Sequence, residues 1–283
     1  MQISVVIPTY NRWPVLARAV ESVLEQTQPA EEILIVDDGS TDNTGKHLKT
    51  RFGSRITLLK QTNQGVSCAR NAAIKQADGD WIALLDSDDE WLPAKLEKQR
   101  QAVADIEDAV LVHSDEIWIR NGTRVNAGKK HQKRGGCIYE HCLPLCCISP
   151  SAALINKKVL LQLGGFDENL PACEDYDLWL RLCANYPVIY IDEPLLNKYG
   201  GHDDQLSTKY WGMDRFRIIA LEKILASNCL SPVNRELTLV TLLRKAQIML
   251  KGAIKHNNHS MINQCNRVIE LYSQQLDQQN LHR

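Results

Sequence analysis

Four short apolar runs constrain this chain more than any other feature. They are Ile3–Ile7 (ISVVI), Ile33–Val36 (ILIV), Ile56–Leu59 (ITLL) and Trp81–Leu85 (WIALL). Each is too short for a helix, lacks apolar/polar alternation and is bounded by turn or polar residues, as in strands buried on both faces. Helical signals separate them. Leu16, Ala19, Val20, Val23 and Leu24 recur at helical spacing, and Ser40, Thr41 and Asp42 offer N-caps for a helix to about Arg51. Gly65 and Ser67 open a helix to about Gln76, and Pro93 suits the first turn of the next. Strands alternating with helices predict βαβ units, right-handed crossovers and a mainly parallel α/β sheet flanked by helices.

The middle of the chain is less regular. Ala109–Arg120 reads as strand-like and Asn121–Gly136 as a polar, basic loop. Ser151–Ile155 reads as a strand, and Lys157–Leu163 as a short helix closed by Gly164 and Gly165. Glu174–Asn185 carries a strong helical pattern, and Val188–Ile191 resumes a strand. Beyond Trp211 strand signals vanish. Helices are expected at Gly212–Asn228, Ser231–Lys255 and His259–Gln279, so residues 1–211 are read as one α/β domain and 212–283 as a helical extension.

Composition narrows the partners. Of 283 residues, 24% are charged and the net charge is −1, so no global field gathers nucleic acid. The N-terminus lacks a basic start and its apolar run stops at Pro8, unlike a signal peptide. No stretch approaches the ~20 apolar residues of a membrane span. A cytoplasmic chain is expected, with peripheral contact at the inner face of a membrane. Nine cysteines, an odd number, argue against a secreted disulfide framework. Cys137, Cys142, Cys146 and Cys147 cluster without zinc-knuckle spacing and read as small buried hydrophobes.

In an open parallel sheet, ligands bind beyond the carboxyl ends of the strands. Three polar clusters follow strands there: PTYNR, DDGSTD and DSDDE. In extended chain, Asp86 and Asp88 point the same way and make a hard oxygen site suited to Mg2+ or Mn2+. Taken alone, the same triplet is more often a solvated acidic turn capping the helix that follows. Asp37 and Asp38 can accept from a base or a ribose, or form an Asx-turn. The acids of EDYD, Glu174–Asp177, suit a helix N-terminus electrostatically. Asp175 also precedes a bulky apolar face, where a carboxylate can serve as general base. Asp89 and Glu90 are read as caps of the helix that follows.

Taken together, SVVIPTYNR (4–12), VDDGSTDNT (36–44), NQGVSCARNAAI (63–74), ADGDWIALLDSDDEW (77–91), GGFDE (164–168) and EDYDLWLRL (174–182) resemble the family 2, inverting, nucleotide-sugar glycosyltransferases of GT-A fold. The motifs stand in the family's order over about residues 3–200. The resemblance implies a metal-dependent transfer from a nucleotide-diphosphate sugar, UDP by family habit, to a saccharide or lipid-linked acceptor. It implies that Pro8, Tyr10 and Arg12 border the nucleotide, with Asp38 on the base and Asp37 near the ribose. It puts Arg70 near the nucleotide or its phosphates, and Gly164 and Gly165 in a turn beside the donor sugar. Asp86 would engage ribose and metal, and Asp88 the metal directly. Asp175 would be the catalytic base and Glu174 its orienting neighbour.

His202 matches a position that approaches the diphosphate or metal, and an ordinary surface histidine fits equally. The Lys198–Gly201 segment departs from the family's usual arginine before that histidine. Two rivals are carried beside this reading. One is a nucleotidyltransferase, which would want a glycine- and basic-rich loop after the first strand where PTYNRW stands. The other is an inactive scaffold of the same fold. Lys129–Arg134 reads as a solvated loop, with a lid or lipid-diphosphate contact as the sharper expectation. The helical tail offers a surface for oligomerisation.

Overall fold

The computed structural model describes residues 1–104, 106–201 and 210–281. Its strands are β1 (Ile3–Thr9), β2 (Glu32–Asp37), β3 (Thr57–Lys60), β4 (Trp81–Leu84), β5 (Glu90–Trp91), β6 (Leu111–Arg120), β7 (Thr123–Val125), β8 (Leu154–Asn156) and β9 (Ile189–Gly200). Its helices are α1 (Trp13–Leu24), α2 (Thr44–Phe52), α3 (Val66–Gln76), α4 (Lys95–Ala104), α5 (Tyr139–Cys142), α6 (Lys157–Gln162), α7 (Glu174–Cys183), α8 (Asp214–Ala226), α9 (Pro232–Lys255) and α10 (His259–Leu281). The strands form one sheet in the order β3-β2-β1-β4-β8-β6-β9-β5, with β7 paired to β6.

All seven residues of β1 are buried, because the sheet is covered on both faces. Ile3, Val5 and Ile7 meet the layer of Leu16, Val20, Leu48 and Leu96, while Val6 joins the opposite layer with Ala73, Ile74 and Trp179. This is the period of two expected of a strand. Gly79 is required where the chain crosses under β1, since a Cβ there would lie 2.7 Å from the Ser4 nitrogen.

The expected parallel pairing holds for β1 with β2 and β4, for β2 with β3, and for β6 with β9. β8 runs antiparallel to both β4 and β6, and β5 antiparallel to β9. A parallel return needs a crossover helix, and between residues 121 and 153 the described helix is only the short α5. The sheet is therefore mixed beyond β4.

β9 is longer than the run expected at Val188–Ile191. Asp192, Glu193 and Pro194 follow that run, but register shifts around Asp115 absorb them and pairing resumes as far as Gly200. Irregularities of this kind are how a strand accommodates proline. The tail forms its three helices close to the expected bounds. Ser231 caps α9 by accepting from the Asn234 N–H at 3.2 Å. Phe216, Leu221, Leu239 and Leu242 enter the same core as Trp179. Buried Lys245 donates to the Pro144 carbonyl at 2.8 Å, and Tyr139 hydroxyl meets Thr238 at 2.7 Å.

Candidate active site

The three strand-end clusters do meet at one edge of the sheet. After β1 the chain turns through Asn11, whose φ of 53° is left-handed. Its side chain accepts from the Thr41 N–H at 2.7 Å, and its own N–H donates to Ser40 Oγ at 2.9 Å. The loops after β1 and β2 are thus laced together. Asp37 accepts from the Ser40 N–H at 2.9 Å, which is the local Asx-turn. Asp38 accepts from the Gln61 amide at 2.8 Å and from the Gln64 and Gly65 N–H groups, both at 2.9 Å. Both carboxylates are buried, so their main visible work is to fix the loop shape that opens α3. Pro8 is buried within β1, while Tyr10 lies open at the rim.

Arg70 on α3 connects the acidic clusters. Its guanidinium reaches Asp86 at 2.7 Å and Glu174 at 2.8 Å, and stacks over Phe166 at 4.9 Å. Arg70 is 3% exposed, so these pairs work in a poorly screened setting. Asn71 pins the Gly164-Gly165 turn by accepting from the Phe166 N–H and donating to its carbonyl, at 2.9 and 2.8 Å. A side chain on Gly165 would collide with Asn71 Oδ1.

Asp88 pairs with Arg12 at 2.6 Å, and its carbonyl accepts from Arg18. Asp89 does more than cap a helix. It is buried, accepting from Ser151 Oγ at 2.6 Å and from the Tyr199 N–H at 2.9 Å. Burial pushes its carboxyl up, and the charges of Asp88 and Asp86 push it further. Glu90 is likewise a pairing residue of β5, accepting from the Asn197 amide at 2.9 Å and the Tyr199 hydroxyl at 2.8 Å.

Glu174 and Asp175 open α7 behind Cys173, whose φ is 62°. Glu174 is the more buried of the two. Burial, and next the Asp175 charge, push it up to about 7 against the pull of Arg70. Burial alone would lower Arg70, but Asp86 and Glu174 override it and push it up. The geometry favours an ion pair here, against the burial that opposes the charge of Glu174. Asp175 is half-exposed and accepts from the Cys146 thiol at 3.1 Å and from the Tyr176 N–H at 2.6 Å. Burial and then the Asp175 charge raise Cys146 well above the usual thiol range, so it remains a donor.

Cys146 also lines a cavity of about 270 Å³ with Trp118, His131, Lys133, Lys198 and Arg217. Inside it Glu116 pairs with Lys133 at 3.1 Å and approaches Lys198 at 4.0 Å. Burial alone would push Glu116 up, but the two lysines override it and hold it at about 2. Lys133 is therefore not part of a solvated loop, since its side chain is 4% exposed. A second cavity, of about 300 Å³, lies at the other end of the strands among Pro29–Ile33 and Arg55–Thr57, and holds none of these groups.

Glu116 was not singled out in the sequence, and Asp89, Cys146 and Lys198 were read there only as a helix cap, a small buried hydrophobe and part of a segment lacking the family's arginine. Asp89 sits inside a motif that was singled out, but nothing local separates it from Asp88. His202 lies outside the described residues. Among the described residues no three His, Cys, Asp or Glu side chains gather as a metal cage. Asp86 and Asp88 nonetheless fit Mg2+ or Mn2+. They are hard oxygen donors at 31% and 18% side-chain exposure, and the negative charge they concentrate is felt by Asp89.

Comparison with known proteins agrees with this geometry. Residues 4–164 match the family description Glycosyl transferase family 2. An uncharacterized glycosyltransferase of Rickettsia felis is 31% identical over 213 residues, 73% of this chain and 35% of that protein. The chain thus spans about a third of that relative's length. An Escherichia coli relative, named UDP-Glc:alpha-D-GlcNAc-diphosphoundecaprenol beta-1,3-glucosyltransferase WfgD, is 34% identical over 181 residues, 64% of this chain and 69% of that one. Residues 1–349 of Staphylococcus aureus TarS, solved with UDP-GlcNAc, share the fold at a TM-score of 0.71 and 20% identity, covering 89% of this chain and 75% of that one. A Pyrobaculum calidifontis mannosyltransferase, solved with GDP-Man and Mn2+, does so at 0.60 and 19% over 99% and 84%. With its ordered motifs, GT-A fold and these relatives, the chain belongs to glycosyl transferase family 2.

Proposed function

We propose that the chain transfers a sugar from a nucleotide-diphosphate sugar to a hydroxyl of a saccharide or lipid-linked acceptor, with inversion at the anomeric carbon. The observation that carries this reading is the Arg70 bridge. It holds Asp86, at the donor edge, and Glu174, beside Asp175, within one guanidinium's reach. A donor phosphate and an acceptor hydroxyl can then be served at the same edge.

In this reading Pro8, Tyr10, Arg12, Asp37 and Asp38 border the nucleotide, and Asp86 engages the ribose. Asp88 and Asp86 would hold Mg2+ or Mn2+. Such an ion supplies Lewis-acid neutralisation of the departing diphosphate. Asp175 takes the proton as the acceptor oxygen bonds to the anomeric carbon. The bond from that carbon to the diphosphate breaks, the nucleoside diphosphate leaves, and no enzyme nucleophile is consumed. Glu174, fixed by Arg70, positions the backbone that carries Asp175. Cys146 donates to the Asp175 carboxylate and holds its orientation.

UDP is the first nucleotide to test, given the donor in the E. coli relative's name and the one bound to TarS. The acceptor in the E. coli relative's name makes a lipid-linked diphosphate saccharide the first acceptor class, and with it a place in surface-polysaccharide synthesis at the inner face of a membrane. The experiment is a donor screen by nucleoside-diphosphate release, with and without Mn2+. Release from one UDP-, GDP- or dTDP-sugar that depends on the ion is expected. No donor bound or turned over under either condition would overturn the reading.

A further inference from the structure

Helix α9 turns one long face away from the protein. Val233, Val240, Ile248 and Ile254 on that face are 50–59% exposed. Arg244, Lys251 and Lys255 are exposed among them, and at 100° per residue they fall on the same stripe. The one acid of α9, Glu236, is half-buried at the stripe's edge, toward the far end from the lysines. A single-sign stripe with large aliphatic residues between the charges is not an ordinary solvated face.

A second observation extends it. Trp211, just before α8, is 58% exposed, the second most exposed of the large hydrophobics after Val233. The Arg215 guanidinium stacks on it, 5.0 Å from its ring. Next to it, a Cβ added to Gly212 would stand 3.5 Å from Met249, on the half-buried side of α9. The tryptophan is therefore near the lysine-bearing end of α9. An amphipathic indole beside basic and aliphatic side chains is the composition that partitions into a lipid headgroup region.

We propose that this face of α9, with Trp211 near its lysine-bearing end, docks on an anionic lipid surface. Among the described residues no helix is long and apolar enough to cross a membrane, so the contact is with the surface. A second copy of the chain fits the stripe poorly. A two-fold interface would bring each patch onto itself, setting Arg244, Lys251 and Lys255 among their own copies with no exposed acid on α9 to answer them. Anionic headgroups do answer them.

Helix α9 is also joined to the site. Lys245, on the buried side of α9, pairs with Asp214 of α8 at 3.0 Å. Arg217, one turn along α8, lines the cavity that Cys146 shares, and Cys146 bonds Asp175. Cys173, two residues before Asp175, lies 3.8 Å from the Met213 carbonyl. These contacts tie α9 to the Asp175 end of the site through its buried side, opposite the stripe. The sequence placed membrane contact at Lys129–Arg134 instead. Lys133 there is spent on Glu116, which makes α9 the better surface.

The proposal goes beyond the transferase reading and is tested without catalysis. The full chain is sedimented with vesicles of phosphatidylcholine alone or mixed with phosphatidylglycerol, at low and high salt. Binding should favour the anionic vesicles at least tenfold and fall with salt. Each basic residue removed should cost roughly fivefold, and Arg244→Gln, Lys251→Gln and Lys255→Gln together roughly a hundredfold. Trp211→Ser with Ile248→Ser should weaken binding at low salt while UDP binding in solution stays intact. Brominated lipid should quench fluorescence in the wild type more than in Trp211→Phe. Equal binding to both vesicle types, no binding, or an unaffected triple variant would overturn the proposal. So would a concentration-dependent dimer abolished by the same substitutions, since the face would then be a self-interface. If a variant fails to fold, the lipid preference and salt dependence of the wild type still decide. Loss of vesicle binding with nucleotide binding kept separates this claim from the donor claim.

Discussion

The two halves of the sheet hold their charges in opposite ways. Along β1, β2 and β4, acids stand at the carboxyl edge and are matched by arginines from distant segments, Arg12 to Asp88 and Arg70 to both Asp86 and Glu174. Between β6 and β9 the charges turn inward, with Glu116 buried against Lys133 and near Lys198. In the proposed reading, the first arrangement leaves carboxylates for which a divalent ion can compete and arginines for which a diphosphate can. The second holds its charges for structure and shapes the wall of a cavity. On that reading the same residue types thus serve binding in one half and rigidity in the other, decided by which way the strand end faces.

Breaking the first half should cost chemistry and, at its buried arginine, stability as well; breaking the second should cost stability. The largest effect is expected from Asp175→Asn. Transfer should fall by roughly 10²–10⁴-fold, the usual worth of a general base, with donor binding kept. Initial-rate measurements with saturating donor check this.

Next comes Arg70→Met, which strands Asp86 and buried Glu174 without their cation. Breaking a buried pair on one side costs about 3–5 kcal/mol. Thermal unfolding should show a drop of roughly 10 °C. Lowering the pH toward 5 should recover part of that loss as Glu174 protonates.

The third prediction concerns the other half. Glu116 is held at about 2 in the folded chain against an ordinary value of 4.5. The folded value is depressed, so the stability it brings is fully present above pH 4.5 and is lost as pH falls toward 2. That amounts to about 3 kcal/mol at most. Denaturant melts between pH 5 and 3 should show the loss in the wild type and a flatter curve in Glu116→Gln. His113, buried and lowered to about 3 chiefly by burial, adds a slope of the same sign below pH 6.5. The smallest effect is Ser151→Ala. It removes one hydrogen bond from buried Asp89 and should cost about 1–3 kcal/mol.

What the sequence showed follows the same division. β1, β2 and β4, helices α3 and α7, and the three polar clusters could be read because apolar runs and their exits are local features. Helix α9 was legible through Pro232 and its periodicity. β9 was cut short at Asp192–Pro194, because only its register against β6 carries it past the proline. Asp89 was taken for a cap because burial by Ser151 and Tyr199 comes from segments far along the chain. Cys146 and Lys133 carry no local signal at all, and their roles exist only once the middle segment folds over α7 and β6. Antiparallel β8 was unforeseen because a strand's direction depends on its connection, which lacks regular periodicity here.

The central claim is that the open-edge carboxylates form a nucleotide-diphosphate and metal site. The most direct measurement is calorimetric binding of UDP, with GDP and dTDP beside it, to the wild type and Asp88→Ala, each with and without Mn2+. The account predicts that one nucleotide binds the wild type more tightly with the ion, and that the substitution removes most of that gain, at least about tenfold. Equal affinity in wild type and variant, with an undiminished response to Mn2+, would contradict it.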